Sequence, residues 1–181
     1  NGMTMNQTFY YPELQVYGAS LQGPLLGGLA NAEFGHYHSK EDESGLNPFI
    51  PNPEMRYLAG YEHEIFWNIM ASAQYYVEYM LEYDQYIQSL FPGMHAKDEY
   101  RDLITLRLTK QFLMQTLTYS FFGYYSPADS DGYIKTSLAY ALSDKLSFDA
   151  GANIFAGENN YSFWGQFESN SNIHAGVKYR F

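Results

Sequence analysis

Between residues 55 and 111 a set of seven charged side chains falls at even spacings within each segment. Arg56, Glu62 and Glu64 share one parity, as do Glu78 and Glu82, and as do Arg101 and Arg107. In an extended chain, residues two apart point the same way, so each segment puts these charges on one face. Three such segments side by side would make a wall of mixed sign. A tight turn at 66–68 predicts Arg56 opposite Glu78. A symmetric loop over 85–98 predicts Glu82 opposite Arg101, and Glu78 diagonal to Arg107. Opposite charges across two strands stabilise a pair by about 0.2–1 kcal/mol. A wetted wall of this kind filters ions by charge; a closed one merely solvates or plugs an interior. Both readings stay open at this level. Lys135, Lys178 and Arg180 add base to later segments.

Other chemistry is poorly served. His36 and His38 are two apart and share a face, the spacing of a metal pair, but no third ligand is fixed nearby. His63 is expected at the other end of its strand, so the pair reads as polar residues at a strand end. Glu62-His63-Glu64 puts two carboxylates on one face without a pocket. His174 falls on a polar face and no serine pairs with it, so no hydrolytic trio is assembled. The sequence contains no phosphate-binding loop, zinc motif or haem-attachment cysteine. No catalytic residue, metal or cofactor is expected.

The elements that must carry these residues are strands. Over 69–83, Ile69, Ala71, Ala73, Tyr75, Val77, Tyr79, Leu81 and Tyr83 form one face; Met70, Ser72, Gln74, Tyr76, Glu78, Met80 and Glu82 form the other. An ordinary soluble strand runs about five to six residues, whereas a tilted membrane strand needs about nine to eleven. Alternation recurs over 9–22, 28–38, 55–66, 99–111, 115–126, 132–142, 146–155 and 172–181, giving nine predicted strands. In the first of these, Tyr10, Leu14 and Val16 are expected on the apolar face. Short connections at 23–27, 66–68, 112–114 and 143–145 alternate with longer ones at 39–54, 85–98 and 156–172; 127–131 is short for its side.

Composition agrees with an all-β, antiparallel membrane barrel. Tyr alone occupies 19 positions, which suits aromatic girdles at two interfaces. Tyr57, Tyr61, Tyr75, Tyr79, Tyr83, Tyr179 and Phe181 are the expected girdle residues, leaving Tyr76 and Tyr124 to touch solute. The mean hydropathy of −0.38 excludes a helical membrane protein but not a barrel, whose inner face dilutes the average. A soluble β-sandwich is the alternative, since Tyr favours strands there too. The net charge of −10 argues against nucleic acid as a partner. Absence of cysteine fits an envelope compartment without demanding it. No second domain or linker is visible, and residues 1–6 lack the pattern of a secretion leader.

The last residues carry a resemblance. Gly151-Ala-Asn-Ile-Phe-Ala-Gly-Glu158, Phe163-Trp-Gly-Gln-Phe167, Asn172 and Gly176-Val-Lys-Tyr-Arg-Phe181 resemble the end of porin-like outer-membrane proteins of Gram-negative bacteria. Ser126-Pro-Ala-Asp-Ser-Asp131 is similar to loops in that class. Residues 172–181 alternate strictly, and the resemblance implies a closing barrel strand whose terminal Phe181 is read by the insertion machinery. Arg180 departs from the small polar penultimate residue common there.

The resemblance implies Gram-negative outer-membrane localisation, with membrane lipid and lipopolysaccharide around the barrel. An envelope protein or a second copy of the chain would be further partners. Single-chain bacterial barrels have even strand numbers, so nine predicts the C-terminal part of a barrel of about twelve to eighteen strands, or eight strands with one segment misread. The expected function is a channel for passive diffusion of small hydrophilic solutes or ions. Arg56, Glu78, Glu82, Arg101 and Arg107 are its selective wall, and Glu62, Lys178 and Arg180 are further lumenal candidates. The alternative is a scaffold barrel that sheathes a partner and conducts no free solute. Acidic loops at Glu41-Asp42-Glu43, Asp98-Glu99 and Asp129–Asp131 would attract cations, chelate the ions that bridge lipopolysaccharide, or stay solvated.

Overall fold

A computed structural model describes residues 10–181, so the start of the first predicted strand and the N-terminal residues 1–6 lie outside the described part. Nine antiparallel strands form one sheet in sequential order. They are β1 (Leu14–Leu25), β2 (Gly28–Ser39), β3 (Glu54–Ile65), β4 (Ile69–Met80), β5 (Tyr100–Phe112), β6 (Leu117–Ser126), β7 (Asp131–Ala141), β8 (Leu146–Gly157) and β9 (Asn172–Tyr179). All nine predicted segments are strands, which removes the eight-strand alternative for the described residues. Among those residues, β1 and β9 each have a single strand neighbour.

Period-two patterning makes one face apolar and the other polar, and register is pinned by the turns. Leu26 and Gly27 join β1 to β2 with φ of 47° and 83°, the left-handed pair that a two-residue hairpin of type I′ requires. A 3₁₀ turn at Phe66–Asn68 joins β3 to β4, with Trp67 and Asn68 at φ 59° and 57°. Residues 113–116 and 142–145 complete the short side. The other side carries 40–53, 81–99, 127–130 and 158–171.

Three expectations need correction. On β1, Leu14 and Val16 pair with Ser39 and Tyr37 and so share the polar face; Tyr17, Ala19 and Leu21 take the apolar one. Both faces of β1 mix apolar and polar residues, so the turn decides register where the pattern does not. Strand β4 stops at Met80 rather than at Tyr83. Asn52 donates from Nδ2 to the carbonyls of Leu81 (3.0 Å) and Glu82 (3.4 Å), pulling the chain off the sheet. Glu82 takes φ 55° and precedes α1 (Tyr83–Ser89), a helix that begins at the last residue of the predicted strand and runs into the predicted loop. A second 3₁₀ segment, Gly165–Asn170, lies in the loop between β8 and β9.

This is a single layer. Among the described residues only Ile50 and Leu103 are buried hydrophobics. A folded water-soluble monomer of this mass exposes about 9,000 Å², while this chain exposes 13052 Å². The excess is sheet surface that no second layer covers.

Candidate functional site

The polar face carries two charged rows. In the outer row, near the long loops, Arg56 on β3 stands directly opposite Glu78 on β4, which stands directly opposite Arg101 on β5. Arg56 Nε donates to Glu54 Oε1 at 2.7 Å, and its Nη2 contacts the same oxygen. Glu78 Oε1 lies 3.8 Å from Arg56 Nε and accepts from the Tyr76 hydroxyl at 2.9 Å. Arg101 reaches Glu78 Oε2 with Nη1 at 3.4 Å and Asp129 Oδ2 with Nε at 2.5 Å. The Arg56 guanidinium also sits 4.2 Å above the Tyr37 ring. The ladder Glu54–Arg56–Glu78–Arg101–Asp129 is thus internally paired, and its side chains are between 22% and 35% exposed. Such pairs stabilise modestly, about 0.2–1 kcal/mol each.

The inner row lies nearer the short turns. Register aligns Glu62, Ser72, Arg107, Phe122, Lys135, Asn153 and Asn172 across β3 to β9. Among the described residues Glu62, Arg107 and Lys135 make no ion pair. Arg107 and Lys135 are exposed and Glu62 is half-buried. Lys178, nearer the short turns on β9, faces Ser147 on β8, and Arg180 follows it past the end of β9, its backbone N–H donating to Lys145 O at 2.8 Å. On the polar face, unpaired acid therefore sits on β2 (Glu33), β3 (Glu62, Glu64) and β8 (Asp149), and unpaired base on β5, β7 and β9.

Glu82 does not belong to this wall. It is exposed, off the sheet, and four residues from the position that faces Arg101. Arg107 faces Ser72, not the neighbourhood of Glu78. The predicted pairings fail because the 81–99 connection contains a helix and is not symmetric. Glu54 and Asp129 end the ladder; Glu54 is absent from the expected wall although the Glu54-x-Arg56 spacing holds a same-face signal, and Asp129 is expected only as part of an acidic loop, because a turn residue carries no register signal.

The loop at 158–171 folds onto the polar face. Trp164 stacks on Tyr133 (4.9 Å, 23°) and meets Tyr124 edge-on at 5.2 Å, while Tyr133 stacks on Phe155 at 4.7 Å. The Trp164 backbone N–H donates to Asp131 Oδ2 at 2.6 Å. Phe163 lies 5.6 Å under the Arg101 guanidinium. His95 stacks on Tyr161 at 4.3 Å, and Phe49 meets Phe91 at 5.9 Å, so three long connections converge above the sheet. Tyr124 is consequently packed under Trp164, and Tyr76 is engaged by Glu78.

The apolar face carries aromatics toward both ends and Ala, Leu and Ile between. Tyr57, Tyr75, Tyr79, Tyr100 and Tyr125 lie toward the loops; Tyr119, Tyr140, Phe148 and Tyr179 lie toward the turns. Tyr61 donates to the Leu25 carbonyl at 3.1 Å, holding the first hairpin. Tyr83 is on α1 and donates to Lys97 O at 3.0 Å, so it is not part of the sheet. Phe181 follows β9 and packs edge-on against Tyr179. His36 stacks on Tyr17 at 6.3 Å, and His38 Nε2 lies 3.1 Å from Glu43 Oε1. Among the described residues no three His, Cys, Asp or Glu side chains are grouped to hold a metal. No family model, curated protein or solved structure matches this chain, so its reading rests on the geometry of the two faces.

Proposed function

We propose that this chain forms an outer-membrane β-barrel, or the C-terminal portion of one, that conducts small hydrophilic solutes or ions by passive diffusion. The observation that carries the reading is the row Glu62–Arg107–Lys135, unpaired charge on the polar face of a sheet whose other face is apolar and uncovered. Twelve-residue strands such as β3 and β4 span about 40 Å along their axes. Tilted by 35–45°, they match a hydrocarbon layer of about 30 Å. The aromatics toward both ends of the apolar face would then sit at the two interfaces, with lipid and lipopolysaccharide around them.

In this reading the two charged rows divide the labour. The outer ladder is neutralised by its own pairing and braces the rim. The inner row supplies the field that a permeating ion meets, because unpaired charges lining a water-filled passage set its selectivity. Arg107 and Lys135 on β5 and β7 stand across from Glu62 on β3, so the sign of that field changes across the face. No catalytic step enters.

The test is single-channel recording of the full-length protein in a planar bilayer under a salt gradient. Open steps are expected, and Arg107→Glu with Lys135→Glu should move the reversal potential toward cation preference. An unchanged reversal potential in a conducting double variant would sink the assignment of the row. A second reading is favoured by the loop at 158–171, which lays Phe163 and Trp164 on the polar face: a scaffold barrel with an occupied interior. A folded, inserted and silent protein supports that reading.

A further inference from the structure

The apolar face is not flat. Across β5 to β8, register sets Gly123 between Leu106 and Ile134, and Gly132 between Tyr125 and Ala156. Where those side chains are missing the face dips into an open groove of about 630 Å³. The ring of Phe121 leans to within 3.2 Å of where a Cβ on Gly123 would stand, and that of Tyr125 to within 3.6 Å of one on Gly132. The walls are Ile104, Leu106, Ile134 and Ile154.

The ends of the groove differ. Toward the long loops it is bordered by Glu158, Glu168 and Asp131, and no Lys or Arg lines it anywhere. Glu158 and Glu168 are exposed, and neither makes an ion pair or a side-chain hydrogen bond among the described residues. Asp131 is 2% exposed; its Oδ2 takes the Trp164 amide, and its Oδ1 has no hydrogen-bond partner. Glu168, in the 3₁₀ segment Gly165–Asn170, borders the groove at its loop end.

An apolar trough closed at one end by carboxylates suits an amphiphile with a hydrocarbon tail and a cationic head. We propose that the groove is a binding site for a lipid whose head group ends in a primary ammonium. The tail would lie between Leu106 and Ile154, and the ammonium, with three N–H donors and no acceptor, would meet Glu158 and Glu168. Charge-assisted hydrogen bonds of this kind are the stronger class. A net anionic head would meet two exposed carboxylates, Glu158 and Glu168, and no base. The assignment rests on the membrane reading of the apolar face but not on conduction.

The full chain in phosphatidylcholine nanodiscs containing equal small amounts of phosphatidylethanolamine and phosphatidylglycerol provides the test, with retained lipids counted by native mass spectrometry. Phosphatidylethanolamine should be retained over phosphatidylglycerol by about tenfold, equivalent to ~1.4 kcal/mol. Glu158→Gln with Glu168→Gln should abolish that preference, and the corresponding Lys pair should reverse it. Ala156→Phe, which fills the exposed trough floor, should lower retention of the ethanolamine lipid while the sheet signal in circular dichroism is kept. Equal retention of the two lipids by the wild type, or a preference untouched by the glutamate variants, would overturn the assignment. So would a second copy of the chain seated on the groove, seen as a dimer that Ala156→Phe disrupts. Failure of the chain to enter nanodiscs defeats the membrane reading itself; entry without lipid preference defeats only this inference.

Discussion

Glu78 and Arg101 face each other directly on β4 and β5, and the same carboxylate faces Arg56 on β3, so one side chain ties three strands. Each guanidinium also holds a carboxylate of its own, Glu54 for Arg56 and Asp129 for Arg101. Removal of the shared group therefore leaves neither arginine stranded. Glu78→Gln is expected to cost about 1 kcal/mol in urea-induced unfolding. Arg101→Ala leaves Asp129, 22% exposed, with only the Ser126 hydroxyl and takes from Glu78 one of its two cations, and should cost more, about 1–2 kcal/mol. If the ladder is only a brace, Glu78→Gln shifts the unfolding midpoint and leaves the reversal potential alone. A large shift in selectivity from this variant would move the filter from the inner row to the rim.

Which parts of this were legible beforehand follows from where the information lies. Strict alternation in 69–80 and 172–179 had one solution each, because a slip by one residue would bury charge and expose every apolar side chain. The β3–β4 turn is short, so the pairing of Arg56 with Glu78 followed from counting. The β4–β5 connection is long, and counting through it failed once α1 and the Asn52 hydrogen bonds diverted the chain. β1 failed for another reason: Leu14, Val16, Tyr17 and Leu21 put apolar residues at both parities, so pattern alone could not choose a face. The inner row could not be seen from any single strand, since Glu62, Arg107 and Lys135 fall on one level only through the registers between β3 and β7.

The hairpin at Leu26-Gly27 is a place where the sequence works against its own backbone. Leu26 is held at φ 47° and is 89% exposed, so its side chain gains little from packing. A left-handed conformation costs a non-glycine residue about 1–2 kcal/mol, and Asn tolerates it best in this turn type. Leu26→Asn should raise stability by up to about 1 kcal/mol, read as a higher urea midpoint. No gain, with Gly27→Ala also neutral, would mean that the turn does not set the β1–β2 register.

The loop at 40–53 should answer to acid through Asp42. Burial by itself raises this carboxyl, but donors from the Asn47 amide (2.7 Å), the Ser44 hydroxyl (2.9 Å) and the amides of Leu46 and Gly45 outweigh it and hold it below the usual carboxylate range. A depressed folded value means the stabilisation is fully present above the unfolded value of about 3.9 and disappears as pH falls through the folded one. Amide exchange at 44–47 should therefore accelerate only below about pH 4, after correction for intrinsic rates. Asp42→Asn should remove that acid step. Persistence of the step in the variant would assign it to another carboxylate.

Trp164 is the anchor of the loop that lies on the polar face. Its indole is stacked on Tyr133 and edged by Tyr124 and Phe163, and its amide is tied to Asp131. Truncating a well-packed aromatic costs about 3–5 kcal/mol in a closed core, and less here because the cluster is open on one side. Trp164→Ala is expected to leave the nine strands intact and release the loop, making 158–171 the first segment cut in limited proteolysis. In a conducting protein the consequence is a larger unitary conductance, since the segment would no longer occupy the polar face. Release without any change in conductance would place the loop beside the passage rather than in it. A protein that is silent as the wild type and conducts as Trp164→Ala would identify the loop as the plug.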